Sequence, residues 1–226
     1  MKKGCVLLLA GLFLTTTFPT IAESSADENG DGLWFIEGRY SKSFNEKVGW
    51  TDLDTVTPVT SITENARNNL NSMGLAVGRN VNNGRTSISV AYETFNNKTF
   101  SFLIPASGNA NISMPMEMKN QMIEVSHKLP LTQKTFFMTL LGIGNSRIKT
   151  DKYSVNGTLT GTGKTVSNTS TRLGGGLGYA INKNTELILM LQKSDYGDSE
   201  VLQTNNAIFK TNVSTMEASF KVRLSF

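Results

Sequence analysis

Three observations predict an all-β fold: an eight-stranded antiparallel up-and-down barrel that crosses a membrane on its strands. The first is the end of the chain. From residue 216 to 226 apolar and polar residues alternate without a miss, with Met216, Ala218, Phe220, Val222, Leu224 and Phe226 on one parity and Glu217, Ser219, Lys221, Arg223 and Ser225 on the other. Successive side chains of a strand point to opposite faces, so this is a strand with one apolar and one charged side. The second observation is a run of eight strand-like stretches whose connections alternate between long and short. The third is bulk composition. No segment beyond the amino terminus is apolar enough to cross as a helix, which takes ~20 residues. A hydrophobic fraction of 38% suits a chain in which every second strand residue meets lipid. In hydrocarbon the sheet must close, because an open edge would leave backbone groups unpaired.

The elements follow in order. Lys2 and Lys3 precede a short apolar run, Val6 to Leu14, and Thr20-Ile21-Ala22 offers small residues to a signal peptidase. Residues 1–22 therefore read as a secretory signal, 23–32 as a short acidic periplasmic leader, and 33–226 as the barrel. Cys5, the single cysteine, lies before the apolar run, where a lipoprotein cysteine would follow it. Cleavage after Ala22 removes it, leaving no thiol chemistry and no disulfide. The net charge of +4 includes Lys2 and Lys3, so the exported part carries no basic excess that would suit nucleic acid.

The first strand covers residues 33–44, with Trp34, Ile36, Gly38 and Tyr40 against Glu37, Arg39 and Ser41. The second covers 72–81, with Met73, Leu75 and Val77 on one face. The third, 86–95, sets Ile88, Val90 and Tyr92 against Ser87, Ser89 and Glu93. The fourth, 116–129, sets Ile123 and Val125 against Glu124 and Ser126. The fifth, 135–147, is apolar on both parities and its facing stays open. The sixth, 168–180, sets Leu173, Leu177 and Tyr179 against Arg172, Gly174, Gly176 and Gly178. The seventh, 185–196, is again open, and 207–226 contains the eighth.

The connections at 45–71, 96–115 and 148–167 are long and that at 197–206 is of medium length. Asn82-Asn83-Gly84-Arg85, 130–134 and Asn182-Lys183-Asn184 are tight. Short turns on one side and long loops on the other are expected of outer-membrane barrels. The polar parity then faces a narrow lumen filled by side chains. Glu37, Arg39, Glu93, Glu124, Arg172, Glu217, Lys221 and Arg223 all fall on that parity and form the expected lumen charge network. The glycines at 174, 176 and 178 thin the inner wall so that longer side chains cross it, or let the sheet coil. Trp34, Phe136, Tyr179 and Phe226 near one rim, and Tyr40, Phe44, Phe95 and Tyr196 near the other, are candidates for aromatic girdles.

The signal, the Phe220, Val222, Leu224, Phe226 ending, the loop pattern and the segment Gly174-Gly175-Gly176-Leu177-Gly178-Tyr179-Ala180 together resemble the small eight-stranded outer-membrane barrels. That group comprises the opacity proteins, the Ail and OmpX group and the OmpA transmembrane domain. The resemblance covers the whole exported chain. It implies location in the cell outer membrane of a Gram-negative envelope, contact with membrane lipid and lipopolysaccharide, and handling by periplasmic chaperones and the barrel assembly machinery. It makes Phe220, Val222, Leu224 and Phe226 the insertion signal. It also implies an adhesin-like, surface-interaction or envelope-structural role through the loops, with a host or surface ligand. It transfers no catalytic residue.

Other motifs fail on spacing. Asp27, Asn29 and Asp31 imitate a calcium loop, but the twelfth position is Gly38, with Glu37 one short. Gly163-Lys164-Thr165 imitates a phosphate loop, but position 158 is Thr and Gly157 is one residue too far. The Asn-x-Ser/Thr triplets beginning at Asn97, Asn111, Asn156, Asn168 and Asn212 are loop and strand-end composition. His127 is the only histidine. It cannot serve adjacent Ser126 as base, because neighbours on a strand face opposite ways. No catalytic, metal or cofactor residue is expected, and the chain reads as a non-enzyme. Glu46, Lys47, Asp52, Asp54, Glu64 and Arg67 make the first loop mildly acidic. Arg147, Lys149, Lys152 and Lys164 against Asp151 make the third basic and suited to lipopolysaccharide phosphates. A surface-binding or structural protein leads; a narrow porin-like channel and an envelope lipid-modifying enzyme are the alternatives.

Overall fold

The computed structural model describes residues 33–52, 70–96, 98–104, 110–203 and 208–226. The signal, the acidic leader and the first-loop residues Asp54, Glu64 and Arg67 lie outside them. The described residues form eleven strands: β1 (Trp34–Asp52), β2 (Asn71–Val81), β3 (Thr86–Phe95), β4 (Lys98–Ile104), β5 (Ala110–Pro130), β6 (Thr135–Thr150), β7 (Tyr153–Val155), β8 (Thr158–Gly163), β9 (Thr165–Asn182), β10 (Thr185–Gln203) and β11 (Ile208–Ser225). Eight of them build the barrel. β1, β2, β3, β5, β6, β9, β10 and β11 pair antiparallel with their neighbours, and β11 pairs with β1 to close the ring.

The seam runs from Phe35↔Ser225 through Glu37↔Arg223 to Asp52↔Phe209. At its lower end the Trp34 amide donates to the Phe226 carbonyl (3.1 Å) and the Phe226 amide to the Trp34 carbonyl (2.9 Å). The last residue of the chain is thus locked to the first strand.

The tight connections fold as their sequences dictate. Asn82 and Asn83 sit at φ 54° and 53° and Gly84 at 72°, a left-handed run that Asn and Gly tolerate. The Arg85 amide closes that turn on the Asn82 carbonyl at 3.1 Å. In the 131–134 turn the Thr132 hydroxyl accepts the Lys134 and Thr135 amides. Asn182 caps the third turn, its side-chain oxygen accepting the Asn184 amide at 2.8 Å.

On the opposite side the strands run further than predicted. The fourth predicted strand begins at Ala110, not at 116, and the seventh reaches Gln203, not 196. The first continues to Asp52. Three stretches predicted as loop are strands. β4 pairs with the outer part of β5, β7 and β8 form a hairpin, and that hairpin bridges β5 and β10 through Ile112↔Val155 and Val201↔Gly163. The outer wall therefore continues above the point where β6 and β9 end. Backbone pairing extends the sheet wherever partners of equal length are present, and proline does not stop it. Pro115 lies within β5, and its carbonyl accepts the Asp151 amide at 3.0 Å.

Candidate functional site

The two faces of the wall have opposite chemistry. Outward lie Ile36, Met73, Leu75, Val77, Ile88, Val90, Ile123, Ile143, Leu173, Leu177, Leu189, Leu191 and Leu224, all exposed. An exposed apolar band around a closed barrel, with polar side chains inside, is what a bilayer-spanning barrel presents. Phe220 and Leu224 face outward, Phe226 is 63% exposed at the rim, and Val222 shares their parity.

Inward, Glu37, Arg39, Glu93, Glu124, Arg172, Glu217, Lys221 and Arg223 are all buried. Seven of them form one ionic cluster. Arg39 donates to Glu37 (2.7 Å), to both oxygens of Glu124 (2.8 Å each) and to Glu93 (3.3 Å). Arg172 forks onto Glu93 (2.8 and 2.5 Å) and reaches Glu124 at 2.9 Å. Arg223 holds Glu37 at 2.8 Å, and Lys221 stands 3.6 Å from the same carboxylate. Arg223 also lies over the Phe35 ring, 4.1 Å from its centroid.

Glu217 is different. Its partners are neutral donors: the Tyr196 hydroxyl (2.6 Å), the Gln192 amide (2.8 Å) and the Thr215 hydroxyl (2.5 Å). Tyr196 joins the two parts, because its hydroxyl also accepts from Arg172 at 3.2 Å. Buried charges are tolerated when paired or hydrogen-bonded: Glu37, Glu93 and Glu124 are answered by cations, and Glu217 by three hydrogen-bond donors.

Beside the charges and a set of buried hydroxyls and amides that includes Ser41, Ser87, Asn120, Ser126, Ser170 and Ser219, the lumen holds an apolar cluster. Phe136, Met138 and Leu140 of β6 cluster with Ile188 and Met190 of β10. β9 lies between β6 and β10 and offers Gly174, Gly176 and Gly178 on its inner parity. The side chains of both neighbours cross over this bare track. Phe136 faces Gly178 in register, and a Cβ built on Gly178 would strike the Phe136 ring. Further out, Met114, Met116 and Met118 of β5 are buried with Leu70, Phe95, Ile148, Val201 and Val213. Phe95 and Tyr196 meet edge to face, their centroids 5.1 Å apart.

These placements settle the open parities of the fifth and seventh strands and correct three aromatic assignments. Trp34, Tyr40, Phe44, Tyr179 and Phe226 are exposed outside. Phe136, Phe95 and Tyr196 are buried in the lumen, because their parity on β6, β3 and β10 is inward. The sequence carried the Tyr196 signal in the alternation Gln192, Ser194, Tyr196, which continues the inward row of Ile188 and Met190.

Ser126 and His127 face opposite ways. The buried Ser126 hydroxyl pairs with that of Ser87 at 2.9 Å, and His127 Nδ1 pairs with the Thr86 hydroxyl at 3.0 Å. Gly163-Lys164-Thr165 is the junction of β8 and β9, and Lys164 bridges to Glu200 at 2.5 Å. Glu200 also pairs with Lys210 at 3.1 Å, tying the β7–β8 hairpin to β10 and β11. Among the described residues no group of acidic, His or Cys side chains is placed to hold a metal ion.

One prediction follows from the seam. Deleting Phe226 removes both of its backbone bonds to Trp34. We expect a clear fall in the fraction assembled, read as loss of the fast-migrating unboiled band on a denaturing gel. An unchanged fraction would show that the terminal residue is dispensable for closure.

No protein-family model matches this chain, and a search of curated proteins finds no match. Solved structures do match. Neisserial surface protein A aligns at 13% identity over 85% of this chain and 97% of its own, with a TM-score of 0.55. OprG of Pseudomonas aeruginosa, an outer membrane protein, aligns at 9% identity over 87% and 96%, with a TM-score of 0.57. The shared property is the fold, a small eight-stranded transmembrane barrel.

Proposed function

We propose that this chain is an outer-membrane surface protein that binds through the wall and loops above the bilayer, on a barrel that does not conduct. The observation that carries this is the filled lumen. An ionic cluster, an apolar cluster over the glycine track and an outer methionine-rich layer occupy the interior, and their side chains are buried. A conducting barrel needs a continuous wet path, and small eight-stranded barrels have none when their side chains fill the bore. What meets solution is the extension built by β4, the β7–β8 hairpin and the outer ends of β5, β10 and β11, with its Lys164–Glu200–Lys210 bridge. Binding residues concentrate on such loops, held by a rigid scaffold. The outward apolar band and the barrel fold support location in the outer membrane, with export by residues 1–22 and delivery by chaperones and the assembly machinery.

This reading gives the protein no catalytic role. Catalysis by Ser126 and His127 would need a nucleophile and base in reach of one another, and they sit on opposite faces of β5. The test is reconstitution of the full chain in planar bilayers, where we expect no conductance steps above background. A second arm replaces residues 153–163 with a short turn. Binding to cells or envelope components should fall at least tenfold while the protein keeps its heat-modifiable gel mobility. Steady conductance, or binding unaffected by the replacement, would overturn the proposal.

A further inference from the structure

The ionic cluster of the lumen is not balanced. It sets four cations, Arg39, Arg172, Lys221 and Arg223, against three carboxylates, Glu37, Glu93 and Glu124. Glu217 stands outside it, bonded to neutral donors. Lys221 is the ill-matched member. Its side chain is 1% exposed, and its one ionic contact among the described residues, 3.6 Å from Glu37, is too long for a hydrogen bond. That carboxylate is already held by Arg39 at 2.7 Å and by Arg223 at 2.8 Å. An ammonium brings three donors. Among the described residues Lys221 places none of them on an acceptor.

The register explains why no acceptor is at hand. Lys221 pairs on one side with Arg39 of β1 and on the other with the buried Ile188 of β10. Along β11 its neighbours on the inner face are Ser219 and Arg223. Two arginines therefore stand directly beside it, and no carboxylate does. Like charges opposite one another on a sheet repel, and a filled bore holds no bulk water to relieve them. Arg39 carries a second idle donor. Its terminal nitrogens bind the three carboxylates, whereas its buried Nε has no partner. Ser219 accepts from Ser41 at 3.0 Å and keeps its own hydroxyl hydrogen. Two unmatched cationic donors and a hydroxyl thus border one stretch of the β1–β11 seam. A water there would have to direct its own two hydrogens among cations. A halide only accepts.

We propose that the lumen holds a halide ion between Lys221 and Arg39, as the missing anion of the cluster. The ion is structural, taken up as the barrel closes, and the proposal goes beyond the surface-binding reading without resting on it. The test uses the purified full chain in detergent micelles, unfolded by urea in sodium bromide and in sodium gluconate at matched ionic strength. Gluconate is too large to fit between two adjacent side chains. An ion that binds only the folded chain stabilises it, so the unfolding constant of the parent should be at least tenfold smaller in bromide. In Lys221→Met, which removes the excess charge, the two salts should agree within twofold. Lys221→Arg keeps the charge and should keep the bromide effect. Heat-modifiable gel mobility shows that each variant folds. In crystals of the parent grown from bromide, anomalous scattering should place the ion beside Lys221 Nζ. Equal unfolding constants for the parent in the two salts overturn the proposal, as does an equal bromide effect in folded Lys221→Met. Bromide found only on the outer surface of the barrel also overturns it. The parent measurements need no variant, so they decide the matter even where Lys221→Met does not fold.

Discussion

Replacing Arg39 by Met should destabilise the barrel by about 3–5 kcal/mol, the cost of breaking a buried ionic group from one side. Arg39 is the centre of the lumen cluster. It alone touches Glu37, Glu93 and Glu124, so its loss leaves three carboxylates in one bore with less compensation. Arg172 still answers Glu93 and Glu124, and Arg223 still answers Glu37, which keeps the effect below that of three stranded charges. The measurement is urea unfolding in detergent, with the temperature of gel-mobility conversion as a second reading. Adding Glu124→Gln to the Arg39 variant should recover part of the loss, because it removes the carboxylate that Arg39 grips with two bonds. Glu217→Gln is the control. Its three partners are neutral donors, so no counter-charge is stranded and the cost should stay within the ~1.5–3 kcal/mol of a hydrogen bond to a charged group, below that of Arg39→Met. A change under 1 kcal/mol for Arg39→Met would mean that water, not the carboxylates, solvates this arginine.

Why the sequence discloses some of this and conceals the rest is a matter of contrast between faces. Where one parity is polar and the other apolar, as in residues 216–226, facing can be read directly. β6 and β10 defeat that reading because both of their faces are apolar: Leu141 and Ile143 look outward while Met138 and Leu140 look inward. The lumen is apolar there because β9 presents glycines, a complementarity between strands that no single strand displays. The outer extension was concealed differently. Ile112, Met114, Met116 and Met118 alternate with Ser113, Pro115, Glu117 and Lys119, which is a strand pattern, but Pro115 and the polar flanks give it the composition of a loop. Its strand state depends on β4 and β7 being present to pair with it. The charged patch of Glu117, Lys119, Arg147 and Lys149 on β5 and β6 was legible only as excess positive charge near residue 149. Lys119 joins it through the register, which places it opposite a residue 28 positions later.

The apolar half of the lumen yields the second large effect. Phe136→Ala should cost about 3–5 kcal/mol, the range for emptying a buried aromatic site, because Phe136 is buried against Met138, Leu140, Ile188 and Met190. Its neighbour in register, Gly178, has no side chain, and the Phe136 ring occupies the place where one would stand. Gly178→Ala in the parent protein must therefore push that ring aside, an overpacking change of about 1–3 kcal/mol. In the Phe136→Ala background the three atoms nearest that Cβ, all of the Phe136 ring, are gone, and the added methyl restores part of the lost volume. The two changes should then be coupled, the double variant being more stable than the sum of the single losses predicts by about 0.5–3 kcal/mol, the range for residues in contact. Gly175→Ala is the comparison. Gly175 faces outward on the same strand, and its nearest neighbour is the movable tip of Phe137 at 3.2 Å, so it should show no coupling to Phe136. Urea unfolding of the four-member cycle measures this directly. Strict additivity between positions 136 and 178 would show that the ring does not rest on the glycine track, and the account of how this lumen is filled would have to change.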